Sequence, residues 1–271
     1  MRQALRSFLD RSLRRRLAPF RREDWAASAI VVAPHPDDET LGCGGVACKK
    51  IAAGAEVRFV FVTDGAASHA DRVPTDTLRR MRAKEAYEAT RRLGAADDQV
   101  AFLQVPDGRA SDFVPDITRQ LTALLQAWRP ESIYVVHSGD PTMDHCAVHA
   151  GVEAAIRRYG RPITVFEYPV WYWYHWPWVG LRGDLPGMWR KNLRQTLSTA
   201  AGMLSLARLN TIADVADVGA TKRGALAAHR TQTERPPDQP DWPVLGDLGR
   251  GDFLARLLCD YETFRRYEAN A

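Results

Sequence analysis

The sequence predicts an α/β protein built on a mostly parallel sheet with helices on both faces. Three observations predict it. Short apolar runs recur at residues 28–33, 56–62, 132–136 and 162–167, each of a length that suits a buried strand. Stretches of helical periodicity lie between them, at 40–53, 76–93, 113–128 and 144–159. Strands that alternate with helices give parallel pairing, with the crossovers covering the sheet.

Each element has its own signal. Residues 2–22 carry eight arginines, and Leu5, Phe8, Leu9, Leu13 and Leu17 are spaced for one helix face. Residues 1–25 therefore read as a basic amphipathic arm. Such an arm suits a membrane surface or an acidic partner; packing against the protein's own core is the preferred reading. The helix at 40–53 runs into Gly54 and the one at 76–93 into Gly94, both helix-ending residues. The strand at 56–62 stops at Thr63-Asp64-Gly65, and residues 99–103 form a further short strand. After residue 168 the pattern changes: 171–178 read Trp-Tyr-Trp-Tyr-His-Trp-Pro-Trp. A helix is expected at 220–230, a long Pro/Asp/Gly-rich loop at 231–251 and a helix at 252–268. With no repeat and no linker, residues 26–271 read as a single domain.

Composition narrows the function classes. The 271 residues are 45% hydrophobic and 26% charged, enough to bury a sizeable core. No run approaches the roughly 18 apolar residues of a membrane span, and no apolar signal region follows the first arginines. The four cysteines form no CxxC pair, which fits reduced thiols and a cytoplasmic location. Net charge is +4, and outside the arm the chain is close to neutral, so a nucleic-acid partner is not expected.

The chemistry gathers after the first strand, at Ala33-Pro34-His35-Pro36-Asp37-Asp38-Glu39. Sites in open α/β sheets form beyond the carboxyl ends of strands. Two prolines stiffen the turn, and imidazole and carboxylate are ordinary zinc ligands. His35 and Asp38 are placed to face one ion, with Asp37 between them as a base for a water proton. The plain alternative is that the acidic residues cap the following helix, and Glu39 is assigned to the turn and helix start. A third ligand is expected at another strand end. Residues 137–145 follow the strand 132–136, and His145, His137 and His149 are rivals for the role, with Asp144 placed to orient His145.

The run from Ala33 through Gly45, Ala-Pro-His-Pro-Asp-Asp-Glu-Thr-Leu-Gly-Cys-Gly-Gly, resembles the signature of the PIG-L/LmbE-like deacetylases, and Asp144-His145 is similar to their second motif. Thr63-Asp64-Gly65, Arg82 with Glu85, Pro106-Asp107-Gly108, and Lys222 with His229-Arg230-Thr231-Gln232 fall in the same order, so the resemblance spans about residues 28–232. It implies a Rossmann-like fold, zinc (Zn2+) as cofactor, and removal of acyl groups from the amide nitrogen of an N-acylated amino sugar or glycoconjugate. It implies His35, Asp38 and His145 as ligands, in preference to His137 and His149, and Asp37 as general base. Many relatives carry histidine where this chain has Thr142. A hydroxyl donates a hydrogen bond but supplies no positive charge, so His229 is taken as a further catalytic donor. Asp64, Arg82, Thr142, Tyr168 and Trp171 are candidate substrate contacts, the aromatic ones as faces for a sugar or lipid. Two rival readings remain: a hydrolase of another amide or an ester, and a metal-binding member without turnover.

Overall fold

The computed structural model describes residues 1–181, 187–200 and 203–269. The N-terminal elements are α1 (Arg2–Arg16), β1 (Ala18–Pro19), α2 (Arg22–Ala26), β2 (Ala29–Ala33), α3 (Asp38–Ala52), β3 (Val57–Thr63), α4 (Thr75–Leu93) and β4 (Val100–Val105). Then come α5 (Val114–Trp128), β5 (Ser132–Val136), α6 (Met143–Tyr159), β6 (Ile163–Tyr168), α7 (Met188–Ser198) and α8 (Met203–Arg208). The chain closes with β7 (Thr211–Asp214), α9 (Gly219–Leu226), α10 (Arg230–Thr233), α11 (Asp252–Leu257) and β8 (Tyr261–Ala269).

The strands form one eight-stranded sheet in the order β1-β7-β8-β6-β5-β2-β3-β4. β4, β3, β2, β5 and β6 run parallel, and β8 is antiparallel to both its neighbours. β2 is buried along its whole length and lies between β3 and β5, with Val31 opposite Phe59 on one side and Tyr134 on the other. The chain moves outward from β2 through β3 to β4, then returns to β5 on the other side of β2. The order therefore reverses between β2 and β5, and the crevice beyond that reversal is where such sheets bind ligands.

Two expectations change. Residues 252–268 do not form one helix: α11 ends at Leu257 and Tyr261–Ala269 is a strand. Apolar residues at 254, 257, 258, 261 and 264 match a helical period, but the exposed side of β6 offers ladder pairing, from Ile163 opposite Ala269 to Glu167 opposite Arg265, and tertiary pairing overrides the local pattern. The aromatic segment is mostly core. Tyr172, Trp173, Tyr174 and Trp178 are buried: the Arg256 guanidinium lies 3.9 Å from the Trp173 ring centroid and 4.7 Å from that of Trp178, Tyr172 packs against His137, and Tyr174 packs against Trp171 and Phe253. Such a cation over indole faces is held where water is excluded.

α1 lays Leu9 and Leu13 into the core, Arg2 reaches Asp252 at 2.7 Å, and β1 pairs with β7. No helix among the described residues is long and apolar enough to cross a membrane.

α3, which carries the first motif, is broken at Cys43 (φ −146°, ψ 18°). Its second half restarts with Gly45 N and Val46 N donating to the two carboxylate oxygens of Glu262 in β8, each at 2.8 Å. Lys222 of α9 holds that carboxylate at 2.7 Å and donates to Leu41 O and Leu257 O. A buried ion pair left with one partner is strongly destabilising. Lys222→Met is therefore expected to cost about 3–5 kcal/mol, read as a fall in the urea unfolding midpoint; an unchanged midpoint would refute this account of the pair.

Candidate metal centre

The turn after β2 and the start of α6 meet in the crevice between β2 and β5. His35 Nδ1 lies 3.2 Å from Asp38 Oδ2, His145 Nε2 lies 3.2 Å from the same oxygen, and the two ring nitrogens are 3.3 Å apart. Tetrahedral zinc with bonds of about 2.0–2.1 Å places its donors about 3.3–3.4 Å from one another. The near-equilateral triangle of His35, Asp38 and His145 donors has the spacing that one zinc ion would require. No ion is present, and the fit rests on these donor types and spacings.

Each ligand is held from behind. His35 Nε2 lies 3.2 Å from both Asp107 Oδ1 and Asp144 Oδ2. Asp144 is in turn fixed by Gly108 N at 2.7 Å and Ala110 N at 3.1 Å. Asp144 thus orients His35, not His145 as the sequence suggested. The carboxylate beside His145 is Asp140, with Oδ1 3.2 Å from Nδ1; its Oδ2 accepts from Val170 N and Tyr172 N. Sequence reasoning missed Asp140 and did not assign Asp107 a role. The available signals were an Asp-Pro pair in the loop before α6 and the Pro106-Asp107-Gly108 turn. Burial opposes ionisation of Asp38, but His145 and His35 outweigh it and hold its pKa well below the usual carboxylate range.

Asp37 sits at φ 132°, a region L-residues rarely adopt. Its N–H donates to Glu39 Oε2 at 2.9 Å. Glu39 is fully buried and takes Thr40 Oγ1 at 2.6 Å and His229 Nε2 at 2.8 Å on its other oxygen. Burial first, then the neighbouring Asp38 charge, push the Asp37 pKa up, against the pull of Arg82, His229 and His35. A raised carboxylate beside a metal suits a general base working near neutrality.

The other candidates divide. Arg82 is buried on the cavity wall, donates to Gly65 O and Pro36 O, and lies 3.6 Å from Asp37 Oδ2. Thr142 caps α6, and its buried Oγ1 has no hydrogen-bond partner among the described residues. Gln232 Nε2 is in the same state, and both side chains line the cavity. Trp171 lines it too, stacked on Phe253 with centroids 5.1 Å apart. His229, Asp64 and Tyr168 differ from expectation. His229 is fully buried behind Glu39 and does not face the cavity. Asp64 ties loops together, accepting from Ala66 N, Asp107 N and Arg79 Nε. Tyr168 lies in the core with its hydroxyl on Val32 O, its ring against Gly42, where a Cβ would fall 2.0 Å away. His137 and His149 gather around Glu167, away from the trio.

The cavity lined by His35, Asp37 and Asp38 holds about 490 Å³. A larger cleft of about 650 Å³ lies beside α4 and residues 228–242, but it contains none of the ligand trio. Donor geometry decides between them, not size.

Removing a carboxylate that orients a zinc-bound histidine costs typically about 10–100-fold in metal affinity. Asp140→Ala is expected to weaken zinc binding by about that factor in chelator competition, with a smaller loss for Asp140→Asn; wild-type affinity in both would overturn the role assigned to Asp140.

Residues 30–156 match the family described as GlcNAc-PI de-N-acetylase, PIG-L. A 1D-myo-inositol 2-acetamido-2-deoxy-alpha-D-glucopyranoside deacetylase from Rhodococcus opacus (strain B4) is 28% identical over 260 residues, covering 82% of this chain and 87% of that one. Among solved structures, N,N'-diacetylchitobiose deacetylase from Pyrococcus horikoshii superposes with a TM-score of 0.56 at 20% identity, covering 79% of this chain and 72% of that one. The 4-carboxy-2-hydroxymuconate hydratase of Pseudomonas putida KT2440 does so with a TM-score of 0.54 at 18% identity, covering 90% and 97%. One fold thus carries more than one chemistry, and the site must decide between them. The matched segment, a little under half of the chain, contains His35, Asp37, Asp38 and His145.

Proposed function

We propose that this protein is a zinc-dependent hydrolase that removes an acetyl or other acyl group from the amide nitrogen of an N-acylated amino sugar conjugate. The observation that carries the reading is the His35–Asp38–His145 triangle with Asp37 beside it. The names of the curated relatives support the substrate class. The four cysteines are free thiols, which supports a reducing compartment such as the cytoplasm.

When bound, zinc supplies a Lewis acid and lowers the pKa of a water molecule. The chain's own groups do the rest. Asp37, held by Glu39 and faced by Arg82, takes the proton of the attacking water and returns it to the departing amine. Thr142 Oγ1 and Gln232 Nε2, both unpartnered on the cavity wall, are donors for the carbonyl oxygen as it gains charge. The stacked Trp171 and Phe253 rings offer an apolar face for the sugar or its aglycone. His229 acts through Glu39 as a positioning residue.

Amine release from N-acetylglucosamine conjugates tests the reading. Activity is expected to vanish with chelator and return with zinc. Asp37→Asn is expected to retain metal while kcat falls by about 10²–10⁴; wild-type turnover in that variant sinks the base assignment. Metal binding with no amine release from any N-acyl sugar sinks the hydrolase reading itself. Thr142→Val is expected to lower kcat by about 10² with little change in KM, and an unchanged kcat removes Thr142 from the list of oxyanion donors.

A further inference from the structure

α7 is amphipathic the wrong way round for a helix covered by water. Its inward side is polar. Asn192 and Thr199 are buried, Asn192 donates to Gly180 O at 3.1 Å, and Thr196 Oγ1 accepts from Trp176 N at 2.9 Å. Its outward side carries Trp189, Leu193 and Leu197, which expose 48%, 39% and 73% of their surface. The spacing of four residues sets them in one ridge. A helix on a soluble domain normally turns such a stripe inward.

The surroundings of the ridge are basic. Arg190 and Arg194 are exposed on the same helix, and residues 187–208 contain no aspartate or glutamate. α8 packs against α1, where residues 2–22 bring eight arginines against one aspartate. Arg11, Arg15 and Arg16 are exposed there, and so is the ring of Phe8. An apolar ridge with exposed Arg190 and Arg194 on its own helix, on a protein that also exposes Arg11, Arg15 and Arg16 on α1, matches the chemistry of a helix lying in a lipid interface. A second copy of the chain fits poorly, because a two-fold contact sets each patch near its like and brings arginines together. α7 also adjoins the metal cavity: Lys191 Nζ lies 4.1 Å from the centroid of Trp171, a cavity-lining ring.

We infer that α7, together with the arginine-rich α1, docks the protein on an anionic lipid bilayer, with Trp189, Leu193 and Leu197 entering the headgroup layer. The arginines supply long-range attraction, worth about 1 kcal/mol for each one near an acidic surface and weakened by salt. The leucines and the tryptophan supply the apolar contact. The inference goes beyond the hydrolase reading and does not depend on it.

Co-sedimentation of the full chain with vesicles tests it. Binding to mixed phosphatidylcholine–phosphatidylglycerol vesicles is expected to exceed binding to phosphatidylcholine alone by at least about tenfold at low salt, and to fall as salt rises. The double variant Leu193→Gln and Leu197→Gln is expected to lose at least about tenfold in binding, with thermal melting and zinc content unchanged. Equal binding to both vesicle types overturns the inference, and so does a double variant that binds like the wild type. A wild-type chain that forms dimers, ignores vesicles and becomes monomeric in the double variant assigns the ridge to self-association instead. The assay reads binding, so its outcome stands apart from that of the amine-release experiment.

Discussion

Asp37 holds a backbone angle that its own Cβ disfavours, and the buried carboxylate of Glu39 is what keeps it there. Conformations of this kind cost on the order of 1–3 kcal/mol and persist only where surrounding contacts over-determine them. Here the contacts are Glu39 Oε2 on Asp37 N–H, with His229 and Thr40 fixing the other oxygen. The unusual turn lets His35 and Asp38 face one point while the residue between them faces Arg82. A relaxed turn would separate those two donors, and His145 would arrive from α6 with nothing to complete.

The electrostatics of the site follow from that crowding. Asp37, Asp38, Glu39, Asp107, Asp140 and Asp144 converge on it, and Arg82 is the one arginine set against them in the contacts described. Several of these carboxylates are tied to backbone N–H groups, which hold their charge in place. Such a surplus of fixed negative charge in a partly buried crevice is costly unless a cation or protonated imidazoles offset it. A divalent ion at the triangle answers both the geometry and the charge.

Much of this was legible in the sequence, and the rest was hidden for identifiable reasons. β2, β3 and β5 are buried on both faces, so each is written as a near-continuous apolar run. β8 follows the short helix α11 and continues its apolar spacing, so local pattern could not separate them; the free side of β6 did. His35 and Asp38 are three residues apart and visible together, whereas His145 needed a second motif to single it out. Asp140, Asp107 and the buried state of Tyr168 depend on which loops and faces meet in space. Nothing in the chain near Tyr168 announces that Gly42, more than a hundred residues earlier, leaves the recess its ring fills.

The carboxylate of Glu262 has a bearing on when the site comes into being. All three candidate metal ligands lie within residues 30–156, yet the helix that presents Asp38 is restarted by a side chain from the closing strand, bound there through Lys222. A chain still emerging from the ribosome therefore carries every ligand long before it carries the clamp on their supporting helix. The clamp on the helix behind the candidate triangle is therefore complete only in the finished sheet, with β8 in place.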